Sequence, residues 1–208
     1  MPSTDPADGT ALLVDTPHGP ARVHLEVPAE PRALLLLGHG AGGGVSAPDL
    51  LATAAVATSL GIAVGLVEQP YRVAGRRAPA PARQLDAAWA AVVAHLRAGD
   101  LAGLPLITGG RSSGARVACR TAADVGAAAV LCLAFPLQPP RDRPTRLPEL
   151  DGVDVPVLVV QGARDPFGLP PAGPQREVVV LPGDHSLRSD VAGLREAVGT
   201  WLGRVLPG

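Results

Sequence analysis

The sequence predicts an α/β fold, a mostly parallel sheet of about eight strands with helices on both faces. Three observations predict it. Short, nearly uninterrupted apolar runs recur along the chain, as strands buried on both faces require. Ala-rich stretches with helical spacing separate them. The first two runs are joined by Pro17-His18-Gly19-Pro20, a turn that makes them an N-terminal antiparallel hairpin.

The elements follow in order. Residues 11–14 and 21–27 form the hairpin, with inward and outward side chains alternating along the second strand. Strands are then expected near 33–37, 62–67, 105–108, 128–134, 156–160 and 177–181, interleaved with helices near 48–60, 82–98, 113–124 and 188–205. The stretch 50–67 carries no charge over a membrane-spanning length. Thr53, Thr58, Ser59, Gly61 and Gly65 dilute it, however, and Gly61 divides it into a helix and a strand. Trp89 and Trp201 fall on helical patterns and are expected to anchor packing. Aromatics make up only 2% of the chain, so the core must rest on Leu, Val and Ala.

Composition narrows the function classes. A chain of 208 residues, 47% of them hydrophobic, can bury one substantial core, and no composition shift marks a second domain; residues 1–208 are expected to form a single domain. A net charge of -1 gives no reason to expect nucleic acid or a charged membrane as partner. All 18 basic residues are arginines, so a lysine-dependent phosphate loop is excluded. The start, Met1-Pro2-Ser3-Thr4-Asp5, lacks a basic segment followed by an apolar one, which makes a cytoplasmic location the expectation. Cys119 and Cys132 are then expected to be reduced core residues. No metal site and no cofactor is expected, and the sequence sets no oligomeric state.

The chemistry centres on Gly110-Arg111-Ser112-Ser113-Gly114, placed where an apolar run gives way to a helical pattern. A serine at a sharp strand-to-helix turn is lifted clear of the sheet, and glycines two residues either side remove side chains that would collide there. Ser112 is the candidate nucleophile, because centring the pattern on Ser113 would put Arg111 and Ala115 at the crowded positions. A seryl hydroxyl needs a base, and the base needs an orienting carboxylate. Asp165 follows one late strand and His185 the last, in the order Ser112, Asp165, His185. On turn chemistry alone, Asp165 before Pro166 could equally start a turn. Asp184 is a rival acid, but as the immediate neighbour of His185 it is poorly placed to reach round to that ring.

Upstream, the run 33–37 leads into Gly38-His39-Gly40-Ala41-Gly42-Gly43-Gly44, a loop whose backbone can approach a substrate without side-chain obstruction. Acyl transfer develops negative charge on a carbonyl oxygen, and fixed N–H groups stabilise it. By analogy with the fold, Ala41 and Ser113 supply them. His39 is expected to fix the loop. The same glycines satisfy a dinucleotide-binding fingerprint, with Glu68 after the next strand. That reading leaves Ser112, Asp165 and His185 unexplained and puts an imidazole inside the pyrophosphate turn.

Taken together these residues resemble a small lid-less α/β-hydrolase, similar to dienelactone-hydrolase-like proteins. The resemblance is nearest to the subgroup with testis-expressed and histone-acetyltransferase-complex regulatory proteins. It is carried by 38–42, Gln69-Pro70-Tyr71 with Gly75-Arg76-Arg77, 109–116, Phe135-Pro136-Leu137, 161–168 and Gly183-Asp184-His185. Gln69 stands where an aromatic or apolar residue is common in that family and Ser113 where methionine is common. The resemblance implies the α/β-hydrolase fold without a cap domain and a serine hydrolase acting on a small-molecule ester or thioester. Tyr71, Arg111 and Phe135 are expected to touch the substrate, and the short Pro-rich stretch 136–148 predicts an open, shallow site. A hydrolase-fold binding or scaffold protein is the alternative.

Overall fold

The computed structural model describes residues 11–140 and 143–206. The N-terminal residues on which the location expectation rests, and Arg141 and Asp142 of the Pro-rich stretch, lie outside them. The hairpin is β1 (Ala11–Val14) and β2 (Ala21–Glu26). There follow β3 (Ala33–Gly38), α1 (Pro48–Ser59), β4 (Ile62–Glu68), α2 (Pro70–Val73), α3 (Ala82–Arg97), β5 (Leu106–Arg111) and α4 (Ser113–Thr121). The chain closes with β6 (Ala129–Leu133), α5 (Leu147–Asp151), β7 (Val157–Gly162), β8 (Arg176–Leu181) and α6 (Val191–Val205).

The eight strands form one sheet in the order β1-β2-β4-β3-β5-β6-β7-β8. β2 pairs antiparallel with both β1 and β4, and every later pairing is parallel. The chain runs from β3 outward to β4, then returns to place β5 on the other side of β3. That reversal opens a crevice at the carboxyl ends of β3 and β5, where open α/β sheets bind ligands. Gly38 and Gly110 are register partners at that edge.

Strand alternation assigns the two faces. Leu34 and Leu36 of β3 pack with Trp89, Ala115 and Ala118 in one cluster, beneath α3 and α4. Leu35 and Leu37 pack on the other face with Leu50, Leu194 and Trp201 from α1 and α6. All four leucines are fully buried, so this strand is apolar on both sides for a structural reason. Trp89 and Trp201 are buried anchors, as expected. Cys119 and Cys132 are free thiols whose sulfurs lie 3.5 Å apart in the first cluster. The Cys119 contact and burial hold the Cys132 thiol well above its ordinary pKa.

The structure differs from the sequence reading at element ends. β5 continues to Arg111 rather than stopping near 108, because Gly109 and Gly110 are strand residues pressed against β6 and β3. α6 starts at Val191, where the Asp190 side chain accepts a bond from the Gly193 N–H at 2.8 Å and fixes the start. The short helices α2 and α5 are additions to the expected layout; each begins with a proline close to its start, whose fixed φ suits a first turn. Among the described residues no inserted cap domain interrupts the alternation. Among the described residues no helix is long and apolar enough to cross a membrane.

Candidate active site

The turn that carries Ser112 forms because two strands and a helix are forced together. Ser112 lies between β5 and α4 with φ 53 and ψ -105, in the region that side-chain-bearing residues rarely adopt. A methyl on Gly114 would overlap the Gly38 carbonyl, and one on Gly110 would overlap the same group. Only glycine at both positions lets α4 and β5 close on β3. The Ser112 N–H donates to the Leu133 carbonyl at 2.9 Å, which carries the sheet ladder up to the serine itself.

The three sequence-predicted side chains come together. His185 Nε2 lies 3.0 Å from Ser112 Oγ, and His185 Nδ1 lies 2.8 Å from Asp165 Oδ2. A carboxylate can only accept, so Nδ1 carries the proton and Nε2 presents a lone pair to the serine hydroxyl. The Asp165 side chain is fully enclosed and His185 is 20% exposed. Asp165 Oδ1 accepts from the Phe167 N–H at 2.9 Å, and Oδ2 accepts from Gln161 Nε2 at 2.8 Å. The Phe167 ring meets the His185 ring edge-on, with centroids 4.7 Å apart. Asp184 is engaged elsewhere: its Oδ1 accepts from the hydroxyl and N–H of Ser186, which pulls its carboxyl below the usual range.

The glycine loop is braced against the elbow. A Cβ on Gly40 would lie 3.7 Å from the Ser112 Cβ, so the backbone before Ala41 is in contact distance of Ser112. His39 accepts at Nε2 from the Gln69 N–H (3.1 Å) and therefore donates from Nδ1 to the Gly40 carbonyl (2.8 Å). Burial lowers its pKa, consistent with a neutral ring occupied at both nitrogens. The Tyr71 hydroxyl donates to the Ala41 carbonyl at 2.9 Å, and burial raises the phenol's pKa, keeping that donor protonated. Ala41 and Ser113, the residues expected to stabilise an oxyanion, are both half-buried, and Ser113 directly follows Ser112.

Phe135 needs correction as an expected substrate contact, and Arg111 is held by bonds within the protein. Phe135 is 0% exposed and lies in the core, because the chain after β6 turns inward; only its carbonyl takes part, accepting from Gln161. Arg111 does not face open solvent as a free cation. Its Nε donates to Asp49 Oδ2 at 2.8 Å and its Nη2 to the His185 carbonyl at 2.9 Å. Tyr71 is nearly buried and serves the loop through its hydroxyl, while also lining a cavity of about 230 Å³ with Gln69, Val73 and Leu85. The sequence reading missed Gln161 and Asp49. Gln161 precedes Asp165 by four residues inside a strand that is otherwise apolar, and that polar break was the available signal. Asp49 in the first turn of α1 carried none.

Among the described residues no group of three or more His, Cys, Asp or Glu could hold a metal ion.

Comparison with known proteins agrees with this fold. A family model described as an alpha/beta hydrolase domain matches residues 31–192. A serine hydrolase without lid from Xanthomonas campestris has a similar structure, with 24% identity and a TM-score of 0.75 over 100% of this chain and 99% of that one. Est1E from Butyrivibrio proteoclasticus superposes with a TM-score of 0.77 at 17% identity, covering 94% of this chain and 98% of that one. Dienelactone hydrolase from Anabaena variabilis gives a TM-score of 0.75 at 18% identity, over 95% and 98% of the two chains. A search of curated proteins finds no match.

Proposed function

This chain belongs to the alpha/beta hydrolase domain family, and we propose that it acts as a serine hydrolase on a small carboxylic ester or thioester. The observation that carries the proposal is the pair of bonds joining Ser112 to His185 and His185 to Asp165. His185 Nε2 takes the Ser112 proton as Oγ attacks the acyl carbon, and Asp165 stabilises the imidazolium that results. The N–H groups of Ala41 and Ser113 receive the developing oxyanion. The intermediate collapses as the imidazolium protonates the departing oxygen or sulfur, leaving the acyl group on Ser112. Water, deprotonated by His185, then attacks the ester; collapse releases the acid and returns the proton to Oγ.

A small substrate suits an elbow that is partly exposed and, among the described residues, has no cap domain over it. The fold neighbours bear names such as esterase and dienelactone hydrolase, which supports an acyl ester as the substrate class. In this reading Gly38 to Gly43 shape an anion hole, and no dinucleotide is required. The proposal includes one hydrolase domain over residues 1–208, a cytoplasmic location, and membership of the subgroup with testis-expressed and histone-acetyltransferase-complex regulatory proteins. Its sequence support lies in 109–116 and 161–168.

A panel of short p-nitrophenyl esters, thioesters, lactones and amides tests the activity. Turnover of esters or thioesters that vanishes in a folded Ser112→Ala variant is expected. Undiminished turnover in that variant refutes the assignment.

A further inference from the structure

Gln161 sits one residue before the end of β7, a fully buried polar side chain in an otherwise apolar strand. Its Nε2 lies 2.8 Å from Asp165 Oδ2, 3.0 Å from the Phe135 carbonyl and 3.0 Å from the Gly168 carbonyl. An amide nitrogen has only two hydrogens, so three acceptors compete for them. The carboxylate oxygen is both the nearest and the only charged one, and charge-assisted bonds are the stronger kind. The amide cannot be turned over, since its oxygen would then face three oxygens with no hydrogen between them. Its Oε1, meanwhile, is buried with no partner among the described residues. The side chain is thus crowded with acceptors on its donor end and unsatisfied on its acceptor end.

That imbalance favours a role aimed at one partner over general polar satisfaction. Bridging two loop carbonyls would use both hydrogens without any contact to Asp165. The third contact falls on the oxygen that also accepts from His185 Nδ1. The other carboxylate oxygen is held by the Phe167 N–H. One donor on each oxygen fixes rotation of the carboxylate about its Cβ–Cγ bond and leaves Oδ2 presented to the imidazole.

We propose that Gln161 is a positioning residue for the triad acid: its amide nitrogen orients the Asp165 carboxylate, and through it the tautomer and plane of the His185 ring. The inference rests on the reading of Ser112, His185 and Asp165 as a catalytic triad.

Gln161→Leu removes the donors at nearly constant volume. It lowers kcat by between about ten- and a hundredfold with KM little changed, the size of effect a misplaced group produces. Gln161→Glu gives a sharper signature. Two carboxyls at hydrogen-bond distance resist ionising together, so the introduced carboxyl can donate to Asp165 only while the pair keeps a proton. The variant is therefore more active than Gln161→Leu at acid pH and loses that advantage as pH rises. A Gln161→Leu protein that melts at a lower temperature yet keeps wild-type kcat and pH profile overturns the inference. Should that variant fail to fold, the side-chain amide protons of Gln161 in the otherwise unaltered chain decide. They must shift on His185→Ala, since both groups donate to the same Oδ2, and unmoved resonances count against it. Fluorophosphonate labelling separates the two levels. An unlabelled wild-type chain defeats the triad reading, whereas a labelled wild type with Gln161→Leu reacting at the same rate defeats this inference alone.

Discussion

Arg111 Nη2 donates to the backbone carbonyl of His185 over 2.9 Å, so the residue before Ser112 holds the loop that carries His185. The same guanidinium anchors itself on Asp49 at 2.8 Å, in the first turn of α1. One side chain therefore ties the elbow, the helix after the glycine loop and the His185 loop into a fixed arrangement. Burial raises the Asp49 carboxyl's pKa, and the Arg111 charge opposes that rise.

Breaking this pair from one side leaves a buried carboxylate unmatched. Arg111→Met is expected to destabilise the fold by about 3 kcal/mol, as loss of one partner of a buried pair does. Adding Asp49→Leu removes the unmatched charge, and thermal melting should recover most of the loss. Ester turnover should not recover, because the His185 carbonyl still lacks its donor. Melting temperature and kcat measured on the single and double variants check both halves.

Asp165→Asn leaves the size of the side chain unchanged and removes the charge that orients His185. By the usual behaviour of such triads, kcat should fall about 10⁴-fold. Circular dichroism on the same sample establishes that the fold is retained while p-nitrophenyl ester hydrolysis is measured.

Backbone contact at the elbow should be as unforgiving as its chemistry. Gly114→Ala places a methyl into the Gly38 backbone, which has no room to move between β4 and β5, and no folded protein is expected. Gly42→Ala is the control, since nothing lies within 4 Å of the added atom. Its soluble yield should match wild type.

His39 makes stability depend on pH. Its folded pKa is lowered by burial from the ordinary 6.5, so between those two values the unfolded chain binds a proton that the folded chain refuses. The stability is whole above 6.5 and is lost progressively as pH falls from there to the folded value. His39→Gln keeps an acceptor and a donor without a titrating ring. Melting temperature plotted against pH should fall less steeply in the variant than in wild type over that window.

Much of the fold was legible because burial writes itself into sequence. The leucines of β3 and the valines of β7 are apolar on both faces, which only a covered parallel strand requires. Ser112, Asp165 and His185 could be picked out because each follows a strand and the glycines around Ser112 have a steric reason. What stayed hidden depends on distance in the chain. The bond between Arg111 and His185 spans 74 positions, and that between Arg111 and Asp49 spans 62. No local pattern distinguishes such an arginine from a solvated one, which is why it read as a substrate contact. Phe135 misled for the opposite reason: it follows a strand at the correct edge, but its side chain turns into the core.

The central claim is that Ser112 is an activated nucleophile. Incubating the folded wild-type protein with a fluorophosphonate and locating the adduct by peptide mass spectrometry tests it most directly. Stoichiometric modification of Ser112, slowed by orders of magnitude in His185→Ala, is the expected result. No modification of the folded protein, or modification that is equally fast without His185, would contradict it and favour a hydrolase fold used for binding.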